Sequence, residues 1–411
     1  MSNYTKFKPI VQTWPSGRRV CYTQKMTDID ELLTRGIANI IPSKDKLAEK
    51  LKKDGKLNVY LGIDPTNTKI HLGHAVSLRK LQKFAELGHN VTFLIGDFTA
   101  LVGDTSDKDS ERPVLTKGEI EENFSTYKEQ AEKILDFSKV KVKHNSEWLA
   151  KLTYSQVFEL KQQFSLNDFI SRELIKKRLD EGKSVRLDET EYPIMQGYDS
   201  YFMDTDIQIG GTDQTFNMQA GRTLQKKLRG KESYFLATEF LMGTDGRKMS
   251  KTWNNAIWLD DSPEDMYRKI MAINDELINE YYVLATDLPM EEIEELKQGL
   301  KDPLSAKKKL AKTIVAEMHG ATPSEKAAKE FERVVQKGEA PENISEQRVN
   351  QESTVNEGLL LKMGLVGSKS DAKRLFSQDG VKLNGEKIKT GEKVSAGILS
   401  VGKKSVKLRI D

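Results

Sequence analysis

The sequence predicts an α/β protein: a parallel-sheet domain with a helical insertion, then a helical domain, then a small α+β domain at the end of the chain. Three observations predict it. An apolar run from Leu57 to Ile63 meets the breaker Asp64-Pro65-Thr66, and apolar residues at helical spacing follow: Val76, Leu78, Leu81, Phe84 and Ala85. Gly88 stops that helix and VTFLIG, from Val91 to Gly96, reads as a second buried parallel strand, so a βαβ unit closes within about forty residues. Beyond it helical periodicity takes over until a basic helix, a short strand and the turn Asn384-Gly385 near the C-terminus.

In chain order, residues 1–34 read as an N-terminal arm; Lys6, Lys8, Arg18, Arg19 and Lys25 stand there without an acid up to residue 27, but Pro9, Pro15 and Gly17 break any amphipathic targeting helix. Residues 35–245 form the Rossmann-like sheet domain, with a charged helical insertion at about 116–190 that either covers the site or forms a subunit interface. Residues 246–337 form a helical domain, with helix starts at Ser262-Pro263 and Thr322-Pro323. The polar stretch 338–352 is the expected linker, and residues 353–411 the small final domain.

With 411 residues, 37% hydrophobic and 31% charged, the chain can bury several cores. One cysteine, Cys21, excludes a disulfide framework and a Cys-rich zinc site and suits a reducing compartment, so a cytoplasmic location and no protein-held metal are expected. No apolar run is long enough to span a membrane. The net charge is only +3, yet Leu359–Asp411 holds twelve Lys and Arg against five Asp and Glu, an excess suited to a polyanion.

Ligands of open parallel sheets sit beyond the carboxyl ends of strands, and four dense motifs fall there. In YLGIDPTNTKIHLGH, Tyr60 to His74, a helix start that attracts phosphate carries His71 and His74, and Gly73 admits a flat ring close to the backbone. Read alone, these histidines could simply cap the helix. The loop Gly96–Arg112 carries Asp97, Asp104, Lys108 and Arg112, either a solvated charged loop or a flexible phosphate clamp. Tyr192, Gln196 and Asp199 recur at spacings of four and three, on one face of a helix, and IQIGG then delivers Thr212, Asp213 and Gln214 to another strand end. There Asp213 can hold a ribose hydroxyl and Gln214 a carboxylate. In GTDGRKMSKT, Gly243 to Thr252, glycines give a mobile loop that brings Lys248 and Lys251 onto a triphosphate; a lysine-rich surface turn is the plain alternative. HLGH and KMSKT, about 175 residues apart across a βαβ core, are far more specific together than singly.

At these residues the chain resembles the class I aminoacyl-tRNA synthetases, and within them the tyrosyl enzymes, from about residue 35 to the C-terminus. YLGIDPT, GDTSDKDSER, YPIMQGYD and GGTDQ resemble the tyrosine-specific blocks. The resemblance implies that Tyr60 and Asp199 hold the substrate phenol, that Asp104, Tyr192 and Gln196 hold its ammonium, and that Asp64 and Asp213 take ribose or other polar groups. It further implies that Thr66, His71, His74, Lys108, Arg112, Lys248, Lys251 and Thr252 surround the phosphates and ribose of ATP, with Mg2+ accompanying ATP and no tightly bound cofactor. Two positions depart from the pattern: Leu61 replaces a small polar residue near the ribose, and Thr252 replaces a serine. The implied partners are L-tyrosine, ATP and tRNA(Tyr), in a homodimer. The helical domain would lie near the anticodon stem, and the last domain resembles a small RNA-binding module, with Lys369, Lys373 and Arg374 on its basic helix. Against this stand a small-molecule nucleotidyltransferase, which needs neither the RNA module nor the Tyr60–Asp199 pair, an RNA-binding protein with an inactive core, and tryptophanyl specificity.

Overall fold

A computed structural model describes residues 10–13, 19–22, 25–53, 55–66, 68–104, 116–299, 302–336, 346–350, 352–401 and 404–410. The chain divides into two compact units, Met1–Ser324 and Glu325–Asp411. In the first, six strands form one sheet in the order Ile37–Ile41, Tyr234–Thr238, Ile207–Gly211, Asn58–Ile63, Asn90–Ile95 and Val140–His144. Neighbours run parallel except Ile37–Ile41, which is antiparallel to Tyr234–Thr238.

Two of its crossovers meet at the centre of the sheet. Helix Leu72–Glu86 links Asn58–Ile63 to Asn90–Ile95, and helix Thr215–Arg229 links Ile207–Gly211 to Tyr234–Thr238. The strands that start the two crossovers lie side by side and their connections lead away in opposite directions. The crevice between those strand ends is therefore where an open sheet accepts a ligand. Helix Leu72–Glu86 buries Val76, Leu78, Leu81, Phe84 and Ala85, as its periodicity predicts, and Gly88 ends it at φ +87°. It starts before the expected point: His71 is the N-cap and His74 lies in the first turn.

The domain boundaries of the sequence reading shift in four places. Helix Lys25–Leu32 extends the sheet domain below residue 35, because Leu32 and Leu33 are buried and Lys80 Nζ donates to the carbonyls of Glu31 and Leu32. The expected helical insertion is interrupted by the sixth strand, Val140–His144; the alternation of VKVKH marks a half-buried edge strand that the surrounding helical periodicity hides. Helix Ala321–Phe331 begins one residue before Thr322, and the stronger start is Asp302-Pro303, where Asp302 accepts from the N–H groups of Leu304 (3.3 Å) and Ser305 (3.0 Å). Ser262 caps Pro263–Met271 as expected.

The fourth shift lies in the second unit. Strand Glu346–Val349 falls inside the expected linker and pairs in parallel with Lys404–Ile410, closing a five-stranded sheet that also contains Val381–Leu383, Glu386–Lys387 and Gly397–Val401. EQRV offers one buried side chain, Val349, so an edge strand of this kind reads as polar linker. Asn384 and Gly385 both take positive φ, 55° and 86°, and make the hairpin turn their types favour. Helices Glu357–Lys362 and Lys369–Ser377 cover the sheet through Leu360, Ala372 and Val381.

Two arginines, one buried and one half-buried, fasten the first unit's helical domain to its sheet domain. Arg79, on helix Leu72–Glu86 and 8% exposed, pairs with Asp287 and with Glu317 (2.8 Å). Arg35 donates to the carbonyls of Tyr282, Val283, Thr286 and Leu288 at the C-terminal end of helix Ile278–Ala285, where cations are favoured.

Candidate active site

Tyr60 and Gln208 face each other across the two central strands, in register. The Tyr60 hydroxyl donates to Gln208 Oε1 (3.1 Å), and Gln208 Nε2 is tied to the Met218 carbonyl (2.9 Å), so the amide is fixed with its oxygen toward the phenol. Gly221 leaves room for that amide, since a Cβ there would lie 2.6 Å from Gln208 Oε1. Tyr60 packs with Leu94, Trp148 and Leu149, and burial, then the negative charge of Asp199, push its hydroxyl well above the usual phenol range.

Asp199 sits on the buried face of helix Glu191–Phe202, 2% exposed. Each of its oxygens has a donor: Trp148 Nε1 at 2.7 Å and Asn145 Nδ2 at 3.1 Å. Burial nevertheless raises the carboxyl to about 8, because two neutral donors only partly replace the hydration the ionised form has lost. A phenolic O–H would be a third donor.

The other polar residues form two linked groups. Asp64 accepts from Tyr192 Oη (2.9 Å) and Thr99 Oγ1 (2.8 Å), and Thr99 in turn accepts from Asn145 Nδ2 (3.0 Å). Gly96 is required beside it, for a Cβ would stand 2.0 Å from Asp64 Oδ1. Asp104, 6% exposed, accepts from Gln214 Nε2 (2.6 Å) and Asn217 Nδ2 (3.4 Å). The sequence reading gave Gln214 to a carboxylate of the ligand; here its amide donates to the carboxylate of Asp104. Gln196 is partly buried on the same helix as Tyr192 and Asp199.

The two histidines stack, ring centroids 3.8 Å apart, and the His71 N–H donates to His74 Nδ1 (3.3 Å). Burial and the nearby Lys248 and Lys251 lower His74 to about 4; burial, then His74 and Lys248, hold His71 well below the usual range. Both are neutral at pH 7, so they can offer hydrogen bonds but no charge. His71 Nδ1 is buried without a partner. Gly73 is explained by His71 itself, whose Nδ1 would lie 2.9 Å from a Cβ at that position.

The lysine loop meets the histidine segment directly. Leu72 N–H donates to the Ile257 carbonyl (2.9 Å) and Leu259 N–H to the Ile70 carbonyl (2.8 Å), a bridge that pairs His71 with Trp258. Lys248 Nζ reaches Asp213 Oδ2 (3.2 Å) over the ring of Phe240, and Lys251 Nζ donates to the Thr66 carbonyl (3.2 Å). Thr252 is exposed and its hydroxyl pairs with that of Ser250 (2.9 Å). Leu61 is buried, 7% exposed. Lys108 and Arg112 lie outside the described residues.

Asn145, Trp148, Gln208, Thr99 and Asn217 escape the sequence reading. Asn145 and Trp148 could have been found, because they stand just past the carboxyl end of the overlooked strand Val140–His144. Among the described residues no group of three or more His, Cys, Asp or Glu is placed to hold a metal ion, and no helix is long and apolar enough to cross a membrane.

Residues 52–336 match the family model described as tRNA synthetases class I (W and Y). The chain is 41% identical over 383 residues to the tyrosine–tRNA ligase of Thermotoga maritima, covering 91% of this chain and 95% of that protein. It is 44% identical over 373 residues to that of Carboxydothermus hydrogenoformans, covering 87% and 90%. Among solved structures it resembles a C-terminally truncated mitochondrial tyrosyl-tRNA synthetase of Aspergillus nidulans (TM-score 0.63, 22% identity, 75% of this chain and 94% of that one). It also resembles the tyrosyl-tRNA synthetase of Archaeoglobus fulgidus solved with L-tyrosine (TM-score 0.58, 24% identity, 74% and 100%), and these two likenesses speak for the fold.

Proposed function

The chain belongs to the class I tRNA synthetases of the tyrosine and tryptophan branch, with the tyrosine–tRNA ligases, and from that premise we infer how its own residues carry out the reaction. It activates L-tyrosine with ATP, giving tyrosyl-adenylate and pyrophosphate, and transfers the tyrosyl group to the 3′ end of tRNA(Tyr) with release of AMP. The observation that carries tyrosine rather than tryptophan is the buried pair of Tyr60 and Asp199 at the switch point, with hydrogen-bonding capacity that an indole or a phenyl ring would leave unmet.

The carboxylate of tyrosine attacks the α-phosphorus and the bond to the pyrophosphate oxygen breaks, so charge builds on the leaving group and no protein nucleophile is needed. His71 and His74 at the helix N-terminus and Thr66 in the segment before it, with Lys248 and Lys251 from the loop, receive that charge. Asp104, Tyr192 and Gln196 hold the ammonium end, and Asp64 and Asp213 the ribose and neighbouring polar groups. Lys108 and Arg112 would clamp phosphate from their loop. Mg2+ arrives with ATP, bound by the phosphates. A cytoplasmic location is proposed, since a single cysteine suits a reducing compartment.

The basic final domain binds tRNA by phosphate and shape. Lys369, Lys373 and Arg374 are exposed on its helix, and Lys369 and Lys373 line a cleft of about 370 Å³ with Asn356, Glu357, Gly358 and Ser370. ATP–pyrophosphate exchange without tRNA tests the first step, and it should proceed with tyrosine and not with tryptophan or phenylalanine. Deleting residues from Glu346 onward, so that no strand of the second sheet is stranded, should leave exchange within about twofold and lower tRNA charging about tenfold or more, with charging by the whole protein falling steeply with salt. Unchanged charging would remove the domain from the tRNA contact.

The enzyme is a homodimer on this reading. Tyr154, Phe158, Leu166 and Leu187, in the insertion, are 73, 50, 65 and 85% exposed, apolar side chains that a second copy would cover. Sedimentation should give twice the chain mass of 46.6 kDa, and Phe158→Glu with Leu187→Glu should return it to that mass.

A further inference from the structure

The lysine loop is organised around a side chain that touches none of the proposed substrates. Asn255 is 2% exposed, and its amide is used from both ends. Oδ1 accepts from the Ser250 N–H (2.8 Å), while Nδ2 donates to Asp245 Oδ1 (2.7 Å) and to the Lys248 carbonyl (3.2 Å). Its own carbonyl accepts from the Thr244 N–H (3.1 Å). Gly243 closes over this amide so tightly that a Cβ there would lie 2.4 Å from Asn255 Cγ.

The Lys248 carbonyl and the Ser250 N–H flank Met249, which is 3% exposed, beside Gly73, with its N–H on the Leu241 carbonyl (3.0 Å). Anchoring both neighbours of a buried residue fixes the backbone direction on either side of it, and so the directions from which Lys248 and Lys251 leave the chain. We propose that Asn255 is the positioning residue of the lysine loop, holding it in the conformation from which Lys248 and Lys251 meet the departing pyrophosphate. The inference rests on the ligase reading above.

An amide is required for a stated reason. The site presents one donor, the Ser250 N–H, and three acceptors, Asp245 and the carbonyls of Arg247 (3.5 Å) and Lys248, and only Asn or Gln offers the complement. A carboxylate would set lone pairs against Asp245, and alanine would release the Ser250 N–H and the Lys248 carbonyl, leaving Asp245 held only by Arg247. A misplacement of about 1 Å can cost about a hundredfold in rate.

The test uses Asn255→Ala and Asn255→Asp in the full chain. Both should lower kcat for tyrosine-dependent ATP–pyrophosphate exchange by about 10- to 100-fold and raise KM for pyrophosphate in the reverse reaction, while KM for tyrosine stays within about twofold. The double variant Asn255→Asp with Asp245→Asn reverses the donor and acceptor of that hydrogen bond and should recover part of kcat. Transfer from preformed tyrosyl-adenylate to tRNA should be unchanged, because it needs no pyrophosphate contact. Wild-type kcat in both single variants, or a loss shared equally with tyrosine binding and transfer, overturns the proposal. Absence of tyrosine-dependent exchange in the unaltered protein would instead overturn the ligase reading.

Discussion

Asp199→Ala should abolish useful tyrosine activation, lowering kcat/KM for tyrosine by about a thousandfold in ATP–pyrophosphate exchange. The loss has two parts. A hydrogen bond from the phenol to a charged acceptor contributes about 1.5–3 kcal/mol, and leaving polar groups unmet in a closed pocket costs about 1–3 kcal/mol more. The donors left behind are identified, Trp148 Nε1 and Asn145 Nδ2. Asp199→Asn should fare little better, although it keeps the shape. With an N–H donor aimed at each oxygen, a carboxamide must turn its own NH2 toward one of them.

The same carboxyl predicts a pH dependence. Its folded value is about 8, above that of an exposed aspartate, so between about pH 4 and 8 the native protein keeps a proton that the unfolded chain has lost. Over that window this group makes stability fall as pH rises, and above it the effect is constant. For tyrosine the sign is opposite, because the phenol proton pairs with the ionised form. Affinity measured by equilibrium dialysis should rise by about tenfold per pH unit below 8 and level off above it. A flat profile from pH 6 to 8 would mean that the carboxyl is already ionised in the free enzyme.

What could be read in the sequence and what could not follows from the range of each interaction. HLGH and KMSKT are local: a helix start and a glycine-bearing loop act through neighbours in the chain, and residue types at close spacing report them. The face shared by Tyr192, Gln196 and Asp199 follows from helical periodicity alone. Tyr60 and Gln208 are 148 residues apart, and nothing local says that their strands are adjacent. Asn145 and Trp148 were hidden by a different cause, the short edge strand before them, and Glu346–Val349 by the same one. The tasks of Gln214 and Asn255 were also out of reach, since each depends on a partner's exact side-chain orientation, Asp104 in one case and the backbone around Met249 in the other.

Replacing Lys248 with methionine should lower the rate of adenylate formation by about 10²–10³ while leaving tyrosine affinity nearly unchanged. Methionine keeps much of the aliphatic bulk over Phe240 and removes only the charge. That charge faces Asp213, a residue assigned to the ribose, so the ribose and the phosphates compete for the two halves of this ion pair. The lysine can then turn from Asp213 to the phosphates, and the Asp213 carboxylate can accept a ribose hydroxyl. Single-turnover measurements should therefore place the defect in the chemical step, with ATP affinity altered far less, because the interaction strengthens as charge moves onto pyrophosphate. Lys248→Arg should restore the charge without the rate, since a planar fork cannot occupy the point position over Phe240. Lys251→Met should act in the same step, and the double variant should lose less than the product of the two single losses, because both cations serve one leaving group and their effects are not independent. Full multiplicative loss would mean that the two lysines act on different groups, and a defect confined to tyrosine binding would take Lys248 out of the chemistry altogether.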